Sequence, residues 1–165
     1  MATIGRGFLG VMLSLAMIGA PVVQAAEREA AFLQSYAGSY RGEGQLRGNT
    51  TETMACRLDV TASGAQRLRY SGQCVIAGER LPLRGSINFS DREGRYEASA
   101  TGFGSVVAQP AGNGIAFTLA RDYRRSGRAG TFQATFGLVG AGITLQLQVS
   151  DNEEGGYTAR IPLSR

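Results

Sequence analysis

The chain has 165 residues, a formal net charge of +4 and no histidine, and all 17 of its basic residues are arginine. The lack of histidine excludes Ser-His and Cys-His nucleophilic sites and removes the commonest metal ligand, so we expect neither an enzyme nor a cofactor. About 140 residues follow a predicted targeting segment, which is a suitable length for one domain with its own core.

The first 26 residues have the features of a cleaved signal peptide. Arg6 precedes an apolar run from Phe8 to Met17, and small residues lead up to a cleavage site after Ala25 or Ala26. The run is too short for a membrane-spanning helix, and we expect no such helix elsewhere. These features predict export to the periplasm or the medium, with a single domain over residues 27–165.

The domain is predicted to begin with a short helix that is followed only by strands. The helix runs from Glu27 to Tyr36, and Gly38 can terminate it. Later segments alternate apolar and other residues with a period of two, and the joins are too short for helical crossovers. We therefore predict an all-β, antiparallel, up-and-down barrel of about 8–9 strands. Phe32, Leu33 and Tyr36 would plug one mouth of the barrel.

Two cysteines predict the register of one hairpin. If residues 54–60 and 68–76 pair around a turn centred on Ala65, Cys56 lies opposite Cys74. The same register brings the apolar residues of both segments to one face. In an exported protein, such a pair is expected to form a disulfide.

The predicted inner face carries no charge and many small residues. These small residues are Gly42, Gly44, Gly72, Gly85, Ala98, Ala100 and Gly102. We favour an interior filled by large side chains from the far wall, and the alternative is a cavity for an apolar ligand. The residues that would line the cavity are Tyr70, Phe117, Phe132, Phe136 and Tyr157. An inner face without an acid–base pair also argues against an enzyme.

Four arginines between two predicted strands form the densest charge cluster. We expect Arg121, Arg124, Arg125 and Arg128 to lie in a loop, where neighbouring guanidinium groups can bind a carboxylate, a phosphate or an acidic lipid headgroup. The alternative is a solvated loop without a ligand. Tyr123 is the one aromatic residue in the cluster, so we do not expect nucleic acid as a partner.

The outer faces of the last strands form an uncharged polar surface. Its residues are Thr131, Gln133, Thr135, Thr144, Gln146 and Gln148. Such a surface is suited to a partner, a glycan or a second copy of the chain. The alternative is an ordinary Thr-rich sheet exterior.

The first strand resembles that of a known barrel family. Tyr36-Ala-Gly-Ser-Tyr-Arg-Gly-Glu-Gly44, after a short helix, resembles the opening Gly-x-Trp strand of the calycins, with Tyr40 in place of tryptophan. The lipocalin partner of that tryptophan is an arginine near the C-terminal strand, and the resemblance makes Arg160 its counterpart. A calycin-like barrel implies a binding or structural role, with a small apolar ligand or an envelope protein as partner.

A second resemblance is to the periplasmic metalloprotease inhibitors, which are small calycin-like barrels with one disulfide. Ala37-Gly-Ser-Tyr40, Cys56-Arg-Leu58 and Cys74 follow the order of their motifs. Those inhibitors insert a free N-terminal segment into the protease, a role that would fall to residues 26–31 here. A small outer-membrane β-barrel is a further alternative, but its outward apolar face would place both cysteines in lipid.

Overall fold

The computed structural model describes residues 21–125, 128–151 and 156–165, with side chains for residues 26–122, 129–150 and 156–165. In these ranges one helix, α1 (Pro21–Gln34), precedes eleven strands. The strands are β1 (Gly38–Arg47), β2 (Thr51–Gly64), β3 (Arg67–Ile76), β4 (Glu79–Ser90), β5 (Arg95–Ala100), β6 (Gly104–Val107), β7 (Gln109–Ala111), β8 (Gly114–Arg125), β9 (Arg128–Val139), β10 (Gly142–Asp151) and β11 (Tyr157–Leu163).

The strands form one antiparallel sheet that wraps into a nearly closed barrel. Their order is β6-β5-β4-β3-β2-β1-β11-β10-β9-β8-β7, so neighbours in the chain are mostly neighbours in the sheet. The pairing of β1 with β11 joins the first strand to the last. The predicted all-β, up-and-down barrel is therefore confirmed, but the described chain has eleven strands rather than 8–9.

The strand number differs because one passage along the barrel wall, which the sequence periodicity does not count, forms two short strands. β6 pairs with β5, whereas β7 pairs with β8, and Ala108 lies between the two halves. The amide of Ala108 donates to the carbonyl of Tyr96 across 3.0 Å. With four and three residues, β6 and β7 are too short to show a period of two, so the sequence pattern does not resolve them as strands.

The predicted cysteine register is confirmed. Cys56 lies opposite Cys74, their Cα atoms are 4.0 Å apart, and the two form a disulfide inside the barrel. Other pairs of this register are also as predicted: Met54 with Ile76, Leu58 with Gly72 and Val60 with Tyr70. Past Ala62 the register shifts by one residue, so the turn holds residues 65 and 66 rather than centring on Ala65.

Helix α1 covers one end of the barrel. It begins at Pro21 and ends at Gln34, whereas the sequence predicts residues 27–36. Leu33 and Tyr36 are buried and Phe32 is half-buried, as expected for a plug. The Tyr36 hydroxyl donates to the carbonyl of Gly140 at 2.9 Å, and the Gln34 amide donates to two carbonyls of the β2–β3 turn. No helix among the described residues has the length and hydropathy needed to cross a membrane.

The arginine beside Tyr40 is Arg165 rather than Arg160. The guanidinium of Arg165 lies over the buried Tyr40 ring, 5.4 Å from its centroid, and donates to the carbonyls of Ser35 and Ala37. Arg160 is exposed on the outer face. The assignment of Arg160 is wrong because inward and outward residues alternate along β11. Arg165 lies beyond the end of that strand and can reach back to the ring.

Several of the small inward residues lie where neighbouring strands approach closely. A Cβ added to Gly42 would lie 1.9 Å from the carbonyl oxygen of Pro162, and one added to Gly72 would lie 2.0 Å from that of Arg57. A Cβ on Gly85 would lie 1.9 Å from the Ser99 carbonyl oxygen. These glycines therefore permit close approach of neighbouring backbones and leave no empty space behind them.

Candidate functional site

The barrel contains a cavity of about 660 Å³ towards the end opposite α1. This volume is within the range of roughly 300–1,000 Å³ found for small-molecule sites. Its walls come from β3, β4, β5, β8, β9, β10 and the β5–β6 turn. Most lining side chains are apolar or aromatic: Tyr70, Leu81, Leu83, Ala100, Phe103, Leu119, Phe132, Ala134, Phe136 and Val149.

Stacked aromatic rings form the floor of the cavity. The ring centroids of Tyr70 and Phe136 are 5.4 Å apart, and Phe136 in turn stacks on the buried Phe117 at 5.1 Å. The Tyr70 hydroxyl donates to the Ser99 carbonyl at 2.9 Å. Burial raises the pKa of Tyr70 far above its usual value of 10.0. The floor is therefore uncharged at neutral pH and suited to an apolar group.

A cation lies on the rim of this apolar cavity. The guanidinium of Arg121 lies over the ring of Phe103, 5.1 Å from its centroid, and Phe103 packs on Phe132 with 5.6 Å between centroids. Arg121 is exposed, and among the described side chains the ion pairs within 4.0 Å involve only Arg95. Arg84 also borders the cavity and is exposed too, but among the described side chains the guanidinium groups that lie over an aromatic ring are those of Arg121 and Arg165. Arg121 is thus the cation that is fixed beside the apolar lining.

The cavity also opens sideways, because β5 and β6 are shorter than their neighbours. β5 pairs with β4 only over residues 85–90, and β7 pairs with β8 only over residues 114–116. Residues 81–84 of β4 lie beyond the end of β5 and border the cavity. Pro82, which has no amide hydrogen, lies in this part of β4, which pairs with β3 but not with β5. We call this gap in the wall the side opening.

The structure brings three of the five predicted cavity residues together. Tyr70, Phe132 and Phe136 line the cavity. Phe117 lies beneath Phe136 and is buried, and Tyr157 lies beside the close approach at Gly48, outside the cavity lining. Whether any of these residues binds a ligand stays a prediction.

The expectation of a filled interior holds only in part. Buried aliphatic and aromatic side chains pack the interior near α1, whereas the cavity lies towards the other end, beside further buried residues of the core. Sequence reasoning missed Phe103, which lies in a turn and therefore has no strand periodicity. It also missed the inward placement of Arg121, although the alternation of Phe117 and Leu119 continues to that residue.

The predicted arginine loop is wrong as a description of the backbone. β8 continues through Arg125 and β9 begins at Arg128, so Arg121, Arg124, Arg125 and Arg128 all lie in strands. Arg125 pairs directly with Arg128. The prediction relied on the fact that charged residues are typical of loops. Strands can also carry many charges where a hairpin extends beyond a barrel rim, because both of its faces are then in water. The side chains of residues 123–128 are outside the described part, so an anion site that uses Arg124, Arg125 or Arg128 stays a prediction.

A second concavity lies on the outside of the barrel. It has a volume of about 490 Å³ and crosses β9, β10, β11 and β1. Four residues of the predicted uncharged polar surface line it: Gln133, Thr135, Gln146 and Gln148. Arg47 and Arg160 lie at its β1–β11 side, so the surface has more charge than the sequence prediction gave it. We call this concavity the outer groove.

Comparison with known proteins does not place the chain in a family. The sequence matches no family model, and no curated protein matches it. A solved structure described as a de novo design of a fluorescence-activating β-barrel is 10% identical, with a TM-score of 0.36, over 78% of this chain and 94% of that chain. A TM-score this low carries no argument about family or function.

Proposed function

We propose that the barrel binds an amphipathic anion, such as a fatty acid, with its apolar chain in the cavity and its anionic head at Arg121. The observation that carries this proposal is an apolar cavity of about 660 Å³ with a guanidinium on its rim. The sequence alone suggested a purely apolar ligand, and the position of Arg121 adds the anionic group.

The energetics favour a ligand that has both an apolar chain and an anionic head. Burying a methylene group contributes about 0.8 kcal/mol, so a chain of about ten carbons gains several kcal/mol beyond the entropic cost of association. A charge-assisted hydrogen bond from Arg121 adds about 1.5–3 kcal/mol. A neutral Tyr70 on the cavity floor adds no charge that would oppose an apolar chain.

We also propose that the protein is exported and non-enzymatic, and that its barrel is of the calycin type. The contact between Arg165 and Tyr40 supports the calycin resemblance, because an arginine near the last strand packs on the aromatic residue of the first. The buried disulfide supports an oxidising compartment. The side opening supplies a route by which a ligand can enter without displacing α1.

The test is a calorimetric titration of the full-length protein with two amphiphiles of equal chain length and opposite charge. Dodecanoate is the anion and dodecyltrimethylammonium the cation, both below their micellar concentrations. We expect dodecanoate to bind at least about tenfold more tightly, in line with one charge-assisted hydrogen bond. Equal affinities would contradict the role of Arg121, and no binding of either amphiphile would overturn the proposal.

Two variants and one control connect this titration to the structure. Arg121→Gln should weaken dodecanoate binding about tenfold, and it should not weaken binding of the cationic amphiphile, because it removes a like charge from the rim. Arg69→Gln, on the exposed face of β3, is the matched control and should change the affinity for neither amphiphile. Ala100→Leu narrows the cavity and should weaken both amphiphiles. Thermal melts of each variant separate loss of binding from loss of fold.

Protease inhibition remains a second candidate, but the structure does not favour the mechanism expected from the sequence. Residues 26–31 would have to be extended in a protease cleft, whereas they lie within α1. The Tyr96 hydroxyl also bonds to the Glu29 carboxylate and helps to fix this segment. An outer-membrane barrel is disfavoured by the outward charged residues of β1 and β2, which do not form an apolar band.

A further inference from the structure

The outer groove presents side chains from four adjacent strands in two rows. The pairing of β9, β10, β11 and β1 sets this arrangement. One row contains Gln133, Gln148, Thr158 and Arg47. The next row contains Gln146 and Arg160. Since neighbouring strands are about 4.8 Å apart, a row across four strands is about 14 Å long, which suits an extended ligand better than a small ion.

The chemistry of the groove changes along its length. At β9 and β10 it presents amide groups, each with donors and an acceptor. At β11 and β1 it presents guanidinium groups and the amide of Gln45, which donates to the Thr53 hydroxyl. Within the described part of the chain, no carboxylate lines the groove, and Gln133, Gln146 and Gln148 make no side-chain hydrogen bond to protein. These groups can therefore bond to a ligand without first breaking a described protein contact.

The groove lacks the features of a strong protein interface. Its apolar lining residues are Leu147 and Ala159, and the side chains of both point into the barrel and are buried. Protein interfaces depend on central apolar or aromatic anchors, and this groove has none among its described lining residues. Each glutamine amide can both donate and accept a hydrogen bond, so a row of them matches the paired hydroxyl groups of a sugar. Guanidinium groups match a carboxylate.

We propose that the outer groove binds an acidic oligosaccharide, with sugar hydroxyls on Gln133, Gln146 and Gln148 and a carboxylate at Arg47 and Arg160. This site is separate from the cavity, because its side chains lie on the outward faces of their strands. The proposal therefore does not depend on the binding of an amphiphile inside the barrel.

The test is an NMR titration of the full-length protein that follows its glutamine side-chain amide signals. The probes are trigalacturonate, monomeric galacturonate and neutral maltotriose. We expect trigalacturonate to shift the signals of Gln133, Gln146 and Gln148 with an affinity at least about tenfold above that of either other sugar. Arg160→Gln should weaken this affinity about tenfold, because it removes a charge-assisted hydrogen bond. Arg57→Gln, exposed on β2 outside the groove, is the control and should have no effect.

Three results would overturn the proposal. The first is no shift of the three glutamine signals at millimolar trigalacturonate. The second is equal binding of maltotriose, which would leave the arginines without a role. The third is an equal loss of affinity in the Arg57 and Arg160 variants, which would indicate a general charge effect. Dodecanoate in the same experiment should leave these glutamine signals unshifted, so the two sites are tested independently.

Discussion

Removing the disulfide should destabilise the barrel by a predictable amount without unfolding it. The double substitution Cys56→Ala and Cys74→Ala removes a crosslink between residues 18 apart in sequence. In the chain-entropy description, closing a loop of that size stabilises the folded state by about 3 kcal/mol. The ladder between β2 and β3 extends well beyond the cysteines on both sides, so the hairpin should keep its register.

Chemical and thermal unfolding can measure this effect. A loss of about 3 kcal/mol should lower the melting temperature by roughly 10 °C, because each kcal/mol corresponds to roughly 3 °C for a domain of this size. Circular dichroism should show the same β-sheet spectrum below the transition. The matched control is reductant, which should lower the stability of the native protein and leave the double variant unchanged.

Two results would refute the reasoning. A change of under about 1 kcal/mol would show that the crosslink does not restrict the unfolded chain as the entropy description requires. A loss of sheet signal in the double variant would show that the disulfide, rather than the alternating apolar pattern, determines the pairing of β2 with β3.

Two further predictions concern buried contacts. Gly85→Ala should destabilise the fold by about 3 kcal/mol, because the new Cβ would lie 1.9 Å from the Ser99 carbonyl oxygen. Gly64→Ala is its control, because the new Cβ would lie 3.8 Å from the Cβ of Arg67, and urea unfolding should show a change within about 0.5 kcal/mol. Burial raises the pKa of Tyr70, so the unfolded state loses this proton first, and Tyr70 should contribute a fall in stability of up to about 1.4 kcal/mol per pH unit above pH 10. Tyr36 and Tyr96, whose pKa values burial also raises, add to the same decline. Tyr70→Phe should make the decline less steep by the share of Tyr70, and an unchanged slope would exclude Tyr70 as a contributor.

Much of the barrel could be predicted because one rule acts along the whole chain. Side chains of a strand alternate between two faces, so a run such as Met54 to Val60 shows which residues point inward. One covalent link then determines the register, as Cys56 and Cys74 show. The split passage at Ala108 could not be predicted in this way, because β6 and β7 are shorter than the pattern that would reveal them.

The candidate site was predictable only in part, for a related reason. Tyr70 and Phe136 follow from inward alternation, and both lie on the cavity floor. The rim depends on where the strands end, because the side opening exists only where β5 is shorter than β4 and β8. Phe103 lies in the turn that forms this edge, and Arg121 belongs to a strand that continues into a segment expected to be a loop. Sequence periodicity does not show that β5 ends before β4, or that β8 continues past Arg121.

The position of a bound chain tests the account most directly. Nuclear Overhauser contacts between the methylene protons of dodecanoate and the protein should reach Leu119 and Ala134, which line the cavity. They should not reach Leu33, which is buried beneath α1 at the other end. Contacts confined to the outer face, or a chain that reaches Leu33, would contradict an amphiphile bound in the cavity.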